Sequence, residues 1–154
     1  MMARVIFGLV LLLASEAGAD FDSGCAAFER GNFAAAREQW APLAEQGHPQ
    51  AQFRLGCLYT FGQGVPQDYA MALRLYRLAA EQGDADAQNN LGGMYAEGLG
   101  VRADPVEAYV WFDLAAGQGH EMASRNRDFI AASLSVDQIA TAKARVQEWR
   151  AMHR

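Results

Sequence analysis

An internal repeat with a period of 36 residues constrains this chain more than any other feature of its sequence. When the segment starting at Ala51 is aligned with the segment starting at Ala87, 15 of 36 positions are identical. Periods of about 20 to 50 residues are typical of proteins built from stacked structural units. Because one such unit cannot bury its apolar face alone, the two copies are predicted to pack against each other in one core.

Each copy is predicted to form two helices. Ala51, Leu55 and Tyr59 recur at a spacing of four residues, which places them on one face of a first helix. A second stripe at the same spacing includes Ala72 and Tyr76 in the second half of the copy. No long segment alternates apolar with polar residues, so an all-α fold is predicted.

The positions shared by the two copies have structural explanations. A glycine inside a helix costs about 1 kcal/mol relative to alanine, so a recurrent one indicates close approach of a neighbouring helix. Other shared glycines fall in loops or at helix ends, where the backbone adopts angles that other residues avoid. Asp104, Pro105 and Glu107 are typical of a helix start in which both acidic side chains satisfy free backbone amides. The repeat-defining residues are Leu55, Gly56, Tyr59, Gly62, Gly64, Asp68, Ala72 and Gly83, with Leu91, Gly92, Tyr95, Gly98, Gly100, Asp104, Ala108 and Gly119.

The shared pattern A-x-x-x-L-G-x-x-Y-x-x-G-x-G-V-x-x-D-x-x-x-A-x-x-x-(Y/F)-x-x-A-A-x-Q-G resembles the Sel1-like repeat, a relative of the tetratricopeptide repeat. A half copy precedes the two full copies, because Trp40 lies one period before Tyr76. The loop of this half copy is shorter and lacks the G-x-G-V insertion. The resemblance implies a right-handed α/α solenoid of helix pairs that ends in a C-terminal capping helix.

The chain is therefore predicted to contain five segments. These are a signal peptide (1–19), a first tetratricopeptide-like helix pair (20–50), two Sel1-like repeats (51–86 and 87–122) and C-terminal capping helices (123–154). Eight helices are expected, over residues 23–30, 33–46, 49–60, 69–82, 85–97, 105–118, 121–134 and 136–152.

The C-terminal tail departs from the repeat. Arg127 and Asp128 fall in the part of the tail where the full copies carry their L-G pair, and Ser135 with Gln138 predicts a capping box for a last helix. A helix with one apolar side and charges elsewhere suits a cap on the open end of a solenoid. The residues of that apolar side are Ile139, Ala142, Val146 and Trp149.

Residues 1–19 have the features of a secretory signal peptide. Arg4 precedes an apolar run from Val5 to Ala14, and the small residues A-G-A end at Ala19. A membrane-spanning helix needs about 20 apolar residues, so this run is too short, and an uncleaved anchor is the alternative. Cleavage after Ala19 predicts a periplasmic or secreted protein that keeps no integral membrane segment.

The distribution of charge argues against nucleic acid as a ligand. Residues 20–122 contain 6 arginines and 14 acidic residues, a net charge of −8, whereas residues 123–154 contain 6 basic and 3 acidic residues, a net charge of +3. Nucleic-acid binding needs a basic stripe, which the acidic repeats lack. The basic residues of the tail are interpreted as a solvated helix face.

The sequence contains no recognised motif for catalysis, for a cofactor or for a metal ion. His48, His120 and His153 have no carboxylate or cysteine at ligand spacing and are interpreted as helix-start or surface residues. Glu97 and Asp113 are the carboxylates to check as an acid–base pair, since a sequence does not show distances in space.

Two cysteines, Cys25 and Cys57, would meet an oxidising compartment after export. Alignment of the copies places Cys25 opposite Gly56, and hence on a different face from Cys57. The sequence allows both a disulfide between the two cysteines and two separate, partly buried thiols. Cysteine-rich members of the Sel1-like family pair their cysteines between the two helices of a repeat, a pattern that this chain lacks.

The resemblance implies an adaptor or scaffold whose first helices line a concave face that binds a peptide or a partner domain. Phe53 is one of the residues expected on this face, and the alternative is that its ring packs on the first helix pair.

Two other functions are considered. One is a β-lactam- or peptidoglycan-related enzyme or binder, as for the cysteine-rich members, and the other is self-association. Charges on the last helix argue against end-to-end stacking, so a monomer is expected. No cofactor is expected, because the sequence has no cofactor motif. The residues that the resemblance places on the concave face are Phe53, Cys57, Phe61, Asn89, Gly93 and Glu97.

Overall fold

The computed structural model describes residues 18–154, which form eight α-helices and no strand. The helices are α1 (Phe21–Glu29), α2 (Phe33–Glu45), α3 (Pro49–Phe61), α4 (Tyr69–Glu81), α5 (Ala85–Glu97), α6 (Pro105–Ala116), α7 (Glu121–Ala131) and α8 (Val136–Met152). The predicted all-α solenoid is confirmed, and the predicted helix ends differ from these by three residues at most. Residues 1–17 of the predicted signal peptide lie outside the described residues. Among the residues described, no helix has both the length and the apolar character needed to cross a bilayer.

Neighbouring helices pack in sequence order from α1 to α7. The pairs are α1/α2, α3/α4 and α5/α6, and the second helix of each pair also packs on the first helix of the next. Stacking of each unit mainly on its neighbours is the architecture of a solenoid. We call α1, α3, α5 and α7 the first helices, and α2, α4 and α6 the second helices.

Within each pair, an aromatic ring of the second helix lies on a glycine of the first helix. A Cβ atom on Gly56 would lie 2.7 Å from the ring of Tyr76, and a Cβ atom on Gly24 would overlap the indole ring of Trp40. Trp40 and Tyr76 are both buried almost completely. Because glycine has no side chain, the two helices approach closely and bury the ring between them.

The contact between Gly24 and Trp40 corrects the alignment of the first helix pair. Trp40 lies one period before the ring that covers Gly56, so Gly24 is the residue equivalent to Gly56. The expectation that Cys25 is opposite Gly56 is wrong, because the short loop after α1 leaves the register to be set by packing. Cys25 and Cys57 therefore occupy equivalent positions, and both are free thiols.

The G-x-G loops join the two helices of a pair and pack on the preceding unit. Gly64 and Gly100 both have a φ angle of +69°, and a Cβ atom on Gly100 would lie 2.5 Å from the backbone of Tyr69. A Cβ atom on Gly64 would lie 2.8 Å from the backbone of Phe33. Glycine alone combines this backbone angle with so close a contact, so each loop packs on the start of the preceding second helix.

Helix α6 begins as predicted at an aspartate, but its capping box is incomplete. The side chain of Asp104 accepts hydrogen bonds from the backbone amides of Val106 and Glu107, both at 3.0 Å. The carboxylate of Glu107 does not return to the cap as predicted. It accepts a hydrogen bond from Nε1 of Trp111 at 2.8 Å and forms an ion pair with Arg145. Glu107 therefore has one partner on its own helix and one that the docking of α8 supplies.

The last helix, α8, packs on α6 rather than on α7. Ala142 and Val146 are both 0% exposed, and the rings of Trp149 and Trp111 lie with their centroids 6.5 Å apart. The predicted apolar side of α8 is thus the buried side, and the predicted capping box at Ser135 is present. The last helix therefore caps the solenoid by covering a face of α6.

Two residues of α7 explain why α8 does not pair with it. Arg127 and Asp128 stand one period after Leu91 and Gly92 of α5, which are buried in the α5/α6 pair. In α7, Arg127 instead forms ion pairs with Asp113 of α6, at 3.1 Å, and with Asp128, at 2.9 Å. An aspartate at this position offers no glycine surface to an aromatic ring, so α8 packs elsewhere.

Candidate functional site

The first helices line a cavity of about 210 Å³ between α3, α5 and α7. Four of the six predicted binding residues line this cavity, and they are Phe61, Asn89, Gly93 and Glu97. Asn90, Met94 and Asn126 complete much of its wall. The tertiary structure thus brings most of the predicted set together at one place, on the face formed by the first helices.

Phe53 and Cys57 are not among the residues that line this cavity. The ring of Phe53 is half-buried and lies against Tyr76, with the ring centroids 5.9 Å apart. Tyr76 belongs to α4, so Phe53 packs within its own helix pair and not on the first pair, the alternative given above. The Tyr76 hydroxyl donates to Sγ of Cys57 at 3.4 Å. These two predicted residues therefore support the wall of the site from behind.

Burial keeps the groups behind the cavity uncharged. Burial raises the pKa of the Cys57 thiol above its usual range, and it raises the pKa of the Tyr76 hydroxyl further still. Oγ1 of Thr60 lies 2.9 Å from the Tyr76 oxygen. A thiol with a raised pKa is a weak nucleophile, because only the thiolate attacks. The role of Cys57 is therefore packing and hydrogen bonding.

Three asparagines form a connected polar surface across the cavity. Nδ2 of Asn126 in α7 donates to Oδ1 of Asn89 in α5 at 3.0 Å, and Nδ2 of Asn89 lies 3.5 Å from Oδ1 of Asn90. Each side-chain amide can donate two hydrogen bonds and accept two. After these contacts, the three amides keep further donors and acceptors for a bound molecule.

Phe129 is an exposed aromatic residue of this face that the sequence prediction missed. It is 83% exposed, and Phe61 is 67% exposed. Phe129 lies one period after Gly93, and it follows Asn126 by three residues, so it shares the side of α7 that faces the cavity. Extending the repeat alignment into α7 finds this residue. A Cβ atom on Gly93 would meet no atom within 4 Å, so the wall of the cavity is open at this residue.

Two of the three histidines, His48 and His120, cap helix starts, and the third, His153, is exposed at the end of α8. Nδ1 of His48 accepts from the backbone amide of Ala51 at 3.2 Å, and Nδ1 of His120 accepts from that of Ala123 at 3.0 Å. His120 also contacts Asp86 of α5 through Nε2 at 3.1 Å. Within residues 18–154, no three His, Cys, Asp or Glu residues are grouped as metal ligands.

Glu97 and Asp113, the carboxylates considered as an acid–base pair, serve different parts of the structure. Glu97 lines the cavity of the first helices. Asp113 forms ion pairs with Arg127, at 3.1 Å, and with Arg150, at 3.5 Å. It thereby attaches both α7 and α8 to α6.

The stacked helix pairs and the open face of their first helices define an α/α solenoid, a class of protein that binds partners on extended surfaces. Residues 49–84 and 85–120 each match the Sel1 repeat, and the chain is a Sel1 repeat protein. Sel1 repeats usually mediate protein–protein interactions.

Two solved structures of Sel1-type proteins are similar to this chain. One is a protective antigen of uropathogenic Escherichia coli strains that displays an SLR fold, with 34% identity and a TM-score of 0.78 over 82% of this chain and 28% of that one. The other is a Sel1 repeat protein from Oxalobacter formigenes, with 32% identity and a TM-score of 0.70 over 74% of this chain and 47% of that one. This chain thus spans less than half the length of either protein. No protein of curated function matches it.

Proposed function

We propose that this protein is a non-enzymatic interaction scaffold that binds a peptide segment of a partner protein across its first helices. The observation that carries this proposal is the exposed ring of Phe61 in the wall of an asparagine-lined cavity, with the exposed ring of Phe129 on the side of α7 that carries Asn126. Exposed aromatic residues next to a well-formed recess are typical anchors of protein interfaces.

The size of the cavity favours a peptide over a small molecule. Pockets for drug-sized ligands have volumes of about 300 to 1,000 Å³, whereas this cavity has a volume of about 210 Å³. It accommodates one or two apolar side chains rather than a whole cofactor. The amides of Asn90 and Asn126 supply donors and acceptors that match the backbone of an extended peptide.

The charges on either side of Phe61 favour a peptide with basic residues. Glu29, Phe61 and Glu97 occupy equivalent positions on α1, α3 and α5, and both carboxylates are exposed. Two exposed acidic residues on either side of Phe61 attract a partner in which an apolar residue is flanked by lysine or arginine. The residues lining the cavity include one carboxylate, Glu97, and neither histidine nor cysteine, so they favour binding over hydrolysis.

Affinity capture with matched variants tests this function. The double variant F61A/F129A removes both exposed rings, and its melting temperature should stay close to that of the unchanged protein, because neither ring is buried. The control is M122A/M152A, which removes two exposed apolar residues from outside the cavity. We expect the unchanged chain and the control to capture the same proteins, and F61A/F129A to lose them.

A second variant, Gly93→Leu, adds a side chain to the open wall of the cavity without removing either phenylalanine. It should abolish the same capture, since a side chain at Gly93 enters open space and not the core. Capture that persists in both F61A/F129A and G93L would refute binding at this face.

We further propose that the protein is exported and begins at Asp20 after signal cleavage. The Asp20 side chain accepts from the backbone amides of Asp22, at 3.3 Å, and Ser23, at 3.1 Å, so α1 starts directly after the proposed cleavage site. The backbone amide of Asp20 donates to Oε1 of Gln39 at 3.0 Å, a bond that a free amino terminus can also make. The intact mass of the protein from a periplasmic extract tests the proposal, and a species that retains residues 1–19 would contradict it.

We propose that the mature protein is monomeric. Glu148 and Arg154 are among the exposed charges of α8 and the residues after it, and they disfavour close packing of a second copy there. Light scattering after size exclusion should give the mass of one chain, and a concentration-dependent dimer mass would show that the proposal is wrong.

A further inference from the structure

The face of α6 that α8 covers has an uncovered equivalent on α4. Alignment at the repeat period places Arg74 and Leu78 of α4 where α6 has Val110 and Leu114. Val110 and Leu114 are 5% and 3% exposed, whereas Leu78 is 40% exposed and Arg74 is also exposed. The same face of a second helix is therefore buried by a helix in one repeat and open in the other.

This uncovered face forms one wall of a second cavity, with a volume of about 580 Å³ between α2, α3 and α4. Met71, Leu75 and Leu78 of α4 line it, opposite Ala41 and Ala44 of α2. It opens between the second helices α2 and α4 over a floor formed by α3, and none of the residues that line the cavity of the first helices contributes to it.

The floor of this cavity is apolar and its buried polar atoms are already bonded. Leu55 and Leu75 are 7% and 8% exposed. Nε2 of Gln52 donates to the carbonyl oxygen of Ala44 at 3.1 Å, and Oε1 of Gln52 accepts from Gln82 at 2.8 Å. With its amide satisfied, the floor favours an apolar occupant over a polar ligand.

We infer that this cavity, the α2/α4 groove, binds an amphipathic helix of a partner protein, as α6 binds α8. The chemistry of the occupant follows from α8. Ala142 and Val146 are small enough to let α8 lie close to α6, and Trp149 packs beside Trp111. The partner helix carries a stripe of small aliphatic residues with one aromatic residue at the same spacing.

Charged residues at the rim of the α2/α4 groove set the direction of the bound helix. Glu45 and Arg74 line the groove and are both exposed. On α6, acidic residues form the ion pairs that hold the bound helix, because Glu107 and Asp113 pair with Arg145 and Arg150 of α8. One charge of each sign at the rim requires a partner with both signs beside its apolar stripe, and only one orientation of the helix then pairs both.

A peptide with the sequence of residues 135–154 is the probe for this site, because it carries the stripe of α8 with flanking charges of both signs. Fluorescence anisotropy of the labelled peptide with the full chain should show saturable binding. The variant Leu78→Glu should weaken it on the order of tenfold or more, since an anchor in a groove is replaced by a charge. The matched control, Val136→Glu, changes an exposed apolar residue outside the groove and should bind as the unchanged protein does.

Two further measurements keep the inference open to refutation. A control peptide with Ala142→Glu and Val146→Glu should not bind, because its stripe is interrupted. If Leu78→Glu has a lower melting temperature than the unchanged protein, Arg74→Glu replaces it. Arg74 is exposed at the rim, and loss of its charge pair should also weaken binding of the peptide. Absence of saturable binding overturns the inference, and so does binding that neither groove variant weakens, which would show exchange with α8 on α6.

Discussion

The ring of Phe112 lies directly against Gly92, so that a Cβ atom on this glycine would be 2.7 Å from two ring carbons. The next residue, Gly93, has open space where its Cβ atom would be. Two adjacent glycines of one helix thus serve opposite purposes. Gly92 admits the partner helix, and Gly93 leaves the surface of the first helices open.

Alanine substitutions at these two positions should change stability in opposite directions. Gly92→Ala should lower the free energy of unfolding by about 1 to 3 kcal/mol, because the ring and the backbone must shift. Gly93→Ala should raise it by about 0.5 to 1 kcal/mol, because alanine is the better helix former and meets no neighbour. Urea unfolding monitored by circular dichroism measures both. A destabilised G93A with an unchanged G92A would show that the helix register is wrong.

Leucine at Ala72 or Ala108 should overpack the contact between the helices of a pair. Both alanines are 0% exposed. Added side-chain volume in a filled core costs about 1 to 3 kcal/mol, which should appear as a lower urea midpoint. The control is Ala144→Leu on α8, where the side chain is exposed. Equal midpoints for A72L, A108L and A144L would contradict the packing described for the pairs.

Phe53 and Phe61 should respond differently to truncation, although both were predicted to line the binding face. Phe53→Ala removes a half-buried ring from Tyr76 and should cost about 1 to 3 kcal/mol, less than a fully buried phenylalanine. Phe61→Ala should change the free energy of unfolding by about 0.5 kcal/mol or less, because its ring is 67% exposed. Thermal melts of the two single variants compare them. A large loss in F61A alone would place Phe61 in the core.

The protein should lose stability as the solution becomes alkaline. Burial raises the pKa of Cys57 and of Tyr76 in the folded chain, whereas the unfolded chain keeps ordinary values. Above these ordinary values the unfolded state releases protons that the folded state retains, so the free energy of unfolding falls as the pH rises. The urea midpoint should therefore be lower at about pH 10.5 than at about pH 8.

The variant Cys57→Ser isolates one part of this pH dependence. Serine does not ionise in this range, so the fall in the midpoint between the two pH values should be smaller than for the unchanged protein. An equal fall in C57S would assign the effect to other groups, such as Tyr109, whose pKa burial also raises.

Local signals in the sequence determined the helices, their ends and their order in the solenoid. Helix starts such as Asp68 and helix ends such as Gly98 act over a few neighbouring residues, so their effects can be predicted without knowledge of the fold. The 36-residue period made the pairing of helices predictable, because each repeat packs on the next in the same way. The same period brought Asn89, Gly93 and Glu97 to one face.

Only the tertiary structure decided the register of the first pair and the position of the last helix. Cys25 and Gly24 are indistinguishable to an alignment across a shortened loop, but only Gly24 leaves room for the ring of Trp40. The sequence of α8 shows an apolar side without showing which surface will cover it. Arg127 pairs with Asp113 and does not form a core for α8, so α8 packs on α6 and Phe129 stays exposed. Contacts of this kind join residues far apart in the chain, and side-chain volume and charge in three dimensions select among them.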